Sequence, residues 1–363
     1  MPLVPSYIEN LENYVPGKPI EEVQRNLGLN QIDKLASNEN PIGPSPKALL
    51  EIEQSIKQLH RYPDASGYEL RTKLSKQFKV KNENVILGAG SEGIMSTIIR
   101  TFLLNDDELV SAHNSFIGFR VLANASGKKI NWVPMKNYRY DLQAMAKKVS
   151  EKTKIIYIAN PDNPMGTYIT KEEFDAFYSD IPDRVLIILD EAYFEYAKAT
   201  KDYPDSMSYR YDNVITLRTF SKAYGLAGLR IGYGFAHERL INNLMKVKEP
   251  FEPSSIAMSA GIAAIDDKDF LDETLMVNRV GYDYLKSELS RLNIITIPSV
   301  ANFITTVWPS QKKANLISET LLKRGIIVRN LSPFGWDNCI RISIGIEKQN
   351  IRLISELESM VNL

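Results

Sequence analysis

The run Val185-Leu186-Ile187-Ile188-Leu189 constrains the fold more than any other part of this chain. It is continuously apolar, as a strand buried on both faces must be, and such strands belong to the centre of parallel sheets. Shorter apolar and β-branched runs recur at Val85–Leu87, Ile130–Val133, Lys154–Ala159, Val214–Leu217 and Gly232–Phe235, and another strand ends near Ser111. Helical periodicity fills several of the gaps, as in Glu92–Leu104 and Lys171–Tyr178. Strands alternating with helices predict an α/β fold with a largely parallel sheet covered on both faces.

The pattern changes after Glu249-Pro250-Phe251-Glu252-Pro253, where two prolines suit a hinge. A long helical region starts near Ser254. Short strands follow at Ile294–Ile297, Phe303–Val307, Ile326–Val328 and Ile340–Ser343, then an amphipathic helix from Glu347 to Met360. This predicts a smaller α+β domain over 253–363 beside a large domain over 46–252. Residues 1–45, rich in Asn, Pro and Gly, read as an extended arm expected to pack with the small domain.

Composition excludes several function classes. Of 363 residues, 44 are basic and 44 acidic, so no basic excess points to nucleic acid. The lone Cys339 excludes an internal disulfide and suits a reducing cytoplasm. His60, His113 and His237 are far apart and lack ligand spacing, so no metal site is expected. Neither a signal peptide nor a membrane-spanning run is visible.

Chemistry concentrates in Thr219-Phe220-Ser221-Lys222, followed by Arg230. Hydroxyls and a guanidinium suit a phosphate dianion, and a lysine beside them can bond to an aldehyde. Pyridoxal phosphate carries both groups. Four other segments meet the needs of such a site. Asp190 ends the most apolar strand, where ligands of α/β sheets bind; it either pairs with a pyridine nitrogen or caps the next helix. Asn163, in Asn160-Pro161-Asp162-Asn163-Pro164-Met165-Gly166, and Tyr193 can donate to a phenolic oxygen. Gly88-Ala89-Gly90-Ser91-Glu92-Gly93 opens a helix whose N–H groups suit a phosphate, although a dinucleotide loop looks similar. Phe116 or Phe119 can stack on a ring. In the C-terminal part, Arg329 and Arg341 lie in strand patterns, where a guanidinium needs an anion.

In order and content, these segments resemble the fold-type-I pyridoxal-phosphate aminotransferases, and among them the histidinol-phosphate aminotransferase family. The resemblance runs from Leu35-Ala36-Ser37-Asn38-Glu39-Asn40-Pro41, through His60-Arg61-Tyr62-Pro63-Asp64 and Ser221–Tyr233, to Arg341 and Asn350. It implies a large domain with a mostly parallel seven-stranded sheet, and a transamination of L-histidinol phosphate with 2-oxoglutarate. Lys222 would carry the cofactor and Asp190 would pair with its ring nitrogen. Asn163 and Tyr193 would bond the phenolic oxygen, and Phe116 would replace the usual stacking tyrosine. Backbone amides of Ser91 and Glu92, with Thr219, Ser221 and Arg230, would hold the phosphate. Tyr62 would reach the cofactor of a neighbouring subunit, implying a homodimer. Asn40, Arg329 and Arg341 would serve substrate, with Arg341 on its anion. Met165, Gly93 and Ile346 depart from the family pattern. An aromatic amino-acid aminotransferase, a decarboxylase of a phosphorylated amino acid and a non-catalytic module remain as rival readings.

Overall fold

The Leu186–Asp190 strand lies at the centre of a seven-stranded sheet in the computed structural model, which describes residues 3–13, 17–209 and 211–361. Residues 1, 2 and 14–16 of the expected arm, and 362–363 of the expected small domain, lie outside the described residues. Across the sheet the strands are Val85–Gly88, Gly232–Phe235, Val214–Thr219, Leu186–Asp190, Thr153–Ala159, Glu108–Ala112 and Lys129–Val133. Gly232–Phe235 runs antiparallel to both of its neighbours, and the remaining pairings are parallel. The sheet is therefore mixed but mostly parallel, as the alternating pattern predicts.

The central strand shows why it has no polar face. Leu186 and Ile188 point to one side, packing with Ile94, Ile98 and Phe119 from the helices Gly90–Phe102 and Ile117–Ala125. Ile187 and Leu189 point to the other, against Phe174 and Phe177 of Lys171–Ser179. Burial of each such side chain contributes about 1.5–3 kcal/mol. The strand breaks this rule only at its last residue, Asp190.

The C-terminal unit contains a four-stranded antiparallel sheet ordered Arg329–Asn330, Cys339–Ser343, Phe303–Val307 and Ile295–Ile297. The helices Lys268–Arg291, Gln311–Lys323 and Glu347–Val361 pack beside it. The arm reaches this unit: Asp33–Lys34 pairs in parallel with Ile326–Ile327, and Leu35 enters the same apolar cluster. The helix Ser255–Asp266, in contrast, packs with the large sheet. Its Ala257, Ala260 and Ala264 join Ala48, Leu70, Leu87 and Phe220. A division at 252/253 therefore cuts ahead of a helix whose partners belong to the large unit. No helix among the described residues is long and apolar enough to cross a membrane.

Candidate active site

The carboxyl ends of three adjacent parallel strands converge on one cleft. Ala159, Asp190 and Thr219 are the last residues of those strands, and all three line it. The turns that follow bring in Pro161, Asn163, Tyr193, Ser221 and Lys222. Gly90, Ser91 and Glu92 come from the start of a helix, Phe116 from a loop and Arg230 from the far side. The cleft encloses about 700 Å³ of empty space, counting its solvent-open mouth.

One end is shaped for an anion. The helix Gly90–Phe102 begins without a capping side chain, so its first N–H groups point into the cleft mouth unclaimed by a cap. Arg230 lies beside it in the left-handed region at φ 50°. Gly90 itself turns at φ 73°, which favours glycine, and a Cβ there would lie 2.8 Å from the Arg230 guanidinium and push it aside. A Cβ on Gly232 would lie 2.5 Å from Ser91 N, so the strand backs directly onto the helix start. Thr219 Oγ1 donates to Ser221 Oγ at 2.9 Å and accepts from the Ser221 N–H at 3.1 Å, which folds the hydroxyl loop in front of Lys222. Arg230 donates to the Glu92 carboxylate at 3.2 Å, so this acid contributes a side chain as well as a backbone amide.

The other end is built around Asp190, which is 4% exposed. Tyr157 donates its hydroxyl proton to Asp190 Oδ2 at 2.7 Å. Asp190 Oδ1 is buried and has no hydrogen-bond partner. Burial pushes the carboxyl up from 3.8 to about 7, and the hydroxyl of Tyr157 opposes that rise. An acceptor left bare in a buried place is costly unless a ligand supplies the donor. A protonated ring nitrogen is such a donor, so Asp190 fits pyridoxal phosphate on this structure's own terms.

Lys222 sits across the cleft. Burial first, then the nearby Arg341 charge, lowers its amine from 10.5 to about 8. Its Nζ donates to Ser37 O of the arm at 3.2 Å. Tyr193 is buried, and its hydroxyl accepts from Asn38 Nδ2 at 2.9 Å. Asn163 Oδ1 accepts from Arg341, whose second nitrogen donates to Ala36 O at 2.7 Å. This leaves the Asn163 amide nitrogen for a ligand in the cleft.

The structure does not bring every expected residue here. Tyr62 is 82% exposed and stacks on Phe251 at 4.5 Å, outside the cleft of its own chain. Asn40 is occupied elsewhere: Nδ2 donates to Ala223 O and Thr274 Oγ1, both at 3.0 Å, tying the arm to the lysine loop and the long helix. Arg329 is the cross-strand neighbour of Arg341; neither lines the cleft itself, and Arg341 meets its wall through Asn163. Phe119 stacks on Tyr157 in the core, so of the two phenylalanines Phe116 faces the cleft. Met165 is buried in an apolar cluster with Ile117, Ile297, Leu331, Phe334 and Cys339 that joins the two units. Gly93 leaves room for Glu252, whose Oε1 accepts the Ala89 N–H at 3.0 Å. Ile346 is an exposed residue before the last helix.

Three supporting residues escape the sequence reading: Tyr157, Asn38 and Arg218. Arg218 is fully buried and gives Glu191 Oε2 two bonds of 2.9 and 2.7 Å, with a third of 2.9 Å to Asp205. Its guanidinium lies 3.3 Å from the Phe194 ring centroid. Glu191 in turn accepts the Ser206 N–H at 3.1 Å, which anchors the loop carrying Asp190 and Tyr193. A charge inside an apolar strand is a readable signal, and Arg218 shares it with Arg341.

Known proteins match this chain in sequence and fold. The pattern of the aminotransferase class I and II family matches residues 30–357. A histidinol-phosphate aminotransferase of Carboxydothermus hydrogenoformans is 40% identical over 363 residues, covering 99% of this chain and 100% of the relative. The crystal structure of histidinol-phosphate aminotransferase from Sinorhizobium meliloti in complex with pyridoxal-5'-phosphate superposes with a TM-score of 0.91 at 28% identity, over 100% of this chain and 98% of that one. An L-threonine-O-3-phosphate decarboxylase from Porphyromonas gingivalis shares the fold at 19% identity, with a TM-score of 0.77 over 92% of this chain and 100% of that one. The fold alone therefore does not choose between transamination and decarboxylation.

Proposed function

Because the chain belongs to the class I and II aminotransferases, and among them to the histidinol-phosphate aminotransferase family, we propose that it transfers the amino group of L-histidinol phosphate to 2-oxoglutarate. The products are imidazole acetol phosphate and glutamate, a step of histidine biosynthesis. The carrying observation is one cleft that holds both a lysine amine lowered to about 8 and a buried carboxylate oxygen without a donor.

Pyridoxal phosphate, when bound, supplies an aldehyde that condenses with amines and a ring that accepts the electrons of the substrate Cα–H bond. Lys222 holds the cofactor between turnovers. Its lowered basicity leaves a large neutral fraction near pH 8, so the amine can take the proton from the substrate Cα and deliver it elsewhere. Asp190 would hold positive charge on the ring nitrogen. Asn163 and Tyr193 would bond the phenolic oxygen, and Phe116 would cover a ring face. Ser91 and Glu92 amides, Thr219, Ser221 and Arg230 would hold the phosphate. Arg341, oriented by Asn163 and Ala36, takes the anion of either substrate, phosphate in one half-reaction and carboxylate in the other. Asn40 acts on substrate only through the arm it anchors.

We place the enzyme in the cytoplasm as a homodimer. The lone, buried Cys339 suits a reducing compartment. Exposed Leu49, Leu50, Ile56, Leu59 and Tyr62 crowd one short stretch, with Phe251 beside Tyr62. Such an apolar face is what an interface covers, and it would carry Tyr62 toward the second site.

The test offers purified enzyme L-histidinol phosphate, phenylalanine, tyrosine and threonine phosphate, each with 2-oxoglutarate. Glutamate should form fastest from histidinol phosphate, without carbon dioxide. Faster turnover of phenylalanine would make it an aromatic aminotransferase, and carbon dioxide from threonine phosphate would make it a decarboxylase.

A further inference from the structure

We infer that Tyr157 is a positioning residue for Asp190: its hydroxyl occupies one carboxylate oxygen and leaves the other as the acceptor offered to the cofactor's ring nitrogen. The inference rests on the proposed function for the identity of the ring, and on this chain's geometry for everything else.

Sheet register places the two residues together. Ala159 is the partner of Asp190 in the adjacent parallel strand, and Tyr157 is the partner of Ile188. Tyr157 and Asp190 are therefore diagonal neighbours on one face of the sheet, within reach of a long side chain. The Tyr157 ring lies flat on Phe119, with centroids 3.9 Å apart and planes 6° from parallel. A buried ring held in this way has little freedom to turn, so its hydroxyl is aimed by packing rather than by the bond it makes. That hydroxyl reaches Asp190 Oδ2 at 2.7 Å, while Oδ1 stays without a partner.

The charges around Asp190 explain why the bond matters. Glu92 from the helix start and Glu191 from the next position both disfavour its ionised form. Tyr193 on the same loop and Tyr140 from the neighbouring hairpin also feel it, and Lys222 lines the opposite wall. Among the groups that favour the carboxylate, the Tyr157 hydroxyl has the largest effect. Without it, of these hydrogen bonds only the weaker one from the Ala192 backbone N–H still favours the carboxylate. The carboxylate becomes the stronger base, draws the shared proton toward itself and leaves the ring nitrogen neutral. A neutral ring is a poor acceptor of electrons.

The test follows Asp190 directly in the cofactor-free protein. Aspartate carboxyls are labelled with 13C and titrated by NMR, and the Asp190→Asn variant identifies the signal. Tyr157→Phe keeps the ring stack and removes the donor. Its Asp190 midpoint should rise by about one to two pH units, the loss of one hydrogen bond to a charged group. With 15N-labelled pyridoxal phosphate, the ring nitrogen of the variant should shift toward its unprotonated position, and kcat should fall about 10- to 100-fold. Phe119→Leu loosens the stack but keeps the hydroxyl, so it should lower the melting temperature and raise the Asp190 midpoint by less than Tyr157→Phe does. Should Tyr157→Phe fail to fold, 3-fluorotyrosine at 157 preserves the shape and donates more strongly, and the midpoint should fall. An Asp190 midpoint that moves in neither variant, or that moves as far in Phe119→Leu, overturns the inference. Failure of the native chain to bind pyridoxal phosphate would instead sink the functional reading, while the cofactor-free titration still decides what Tyr157 does to Asp190.

Discussion

Replacing Asp190 by asparagine should change how the stability of the cofactor-free enzyme depends on pH. Burial raises the Asp190 carboxyl from 3.8 to about 7 in the folded chain. The folded state therefore holds a proton that the unfolded chain releases over that interval. Stability from this group is complete below about pH 4 and is lost as pH rises through about 7. Three units at about 1.36 kcal/mol each amount to roughly 4 kcal/mol. An asparagine at this position cannot ionise, so the variant lacks this loss. Asp162 and Glu195 are also raised to about 7 by burial, but they are present in both proteins and cancel in the difference. Urea unfolding of both proteins without cofactor, at fixed protein concentration from pH 4 to 8, gives that difference. The variant should gain on the native protein by several kcal/mol across the range, most steeply between pH 5 and 7. Parallel pH profiles would show that Asp190 is solvated or already paired, and would refute a bare oxygen waiting for a donor. The same variant should lose turnover by orders of magnitude while still retaining the cofactor, because an amide cannot hold a pyridinium charge.

Arg341→Lys keeps the charge but loses the two-pronged fork, so both half-reactions should weaken together by about 1.5–3 kcal/mol, measured as separate single-turnover rates. An effect on glutamate alone would mean that histidinol phosphate is anchored elsewhere, with Arg329 the next candidate. Sedimentation at micromolar concentration should show two chains, and Tyr62→Phe should weaken cofactor retention about tenfold if the hydroxyl reaches the neighbouring site. A fully active monomer would contradict both statements.

Much of the site is legible in the sequence because strand ends can be read. A continuous apolar run that stops at a carboxylate or hydroxyl marks where a buried strand meets a ligand, and Asp190 and Thr219 both obey this. Lys222 and Arg230 follow such an end within one loop. Partners that depend on register are not legible. Tyr157 looks like one more apolar strand residue until its strand is set beside that of Asp190. Asn38 meets Tyr193 only after the arm crosses 155 positions of sequence. The place of the helix Ser255–Asp266 after the prolines points to the C-terminal unit. Its small residues instead let it lie against the Pro46–Ser55 helix beside the large sheet. The motif around Asn40 groups it with substrate, whereas its amide is spent on Ala223 and Thr274.

The central claim is that Lys222 is the residue that bonds to the cofactor. Enzyme loaded with pyridoxal phosphate, reduced with borohydride and digested, should yield one phosphopyridoxyl-modified peptide, carrying Lys222, by mass spectrometry. Lys222→Ala treated in the same way should yield none. Stable label on another lysine of the native protein, or label that survives in Lys222→Ala, would contradict the account.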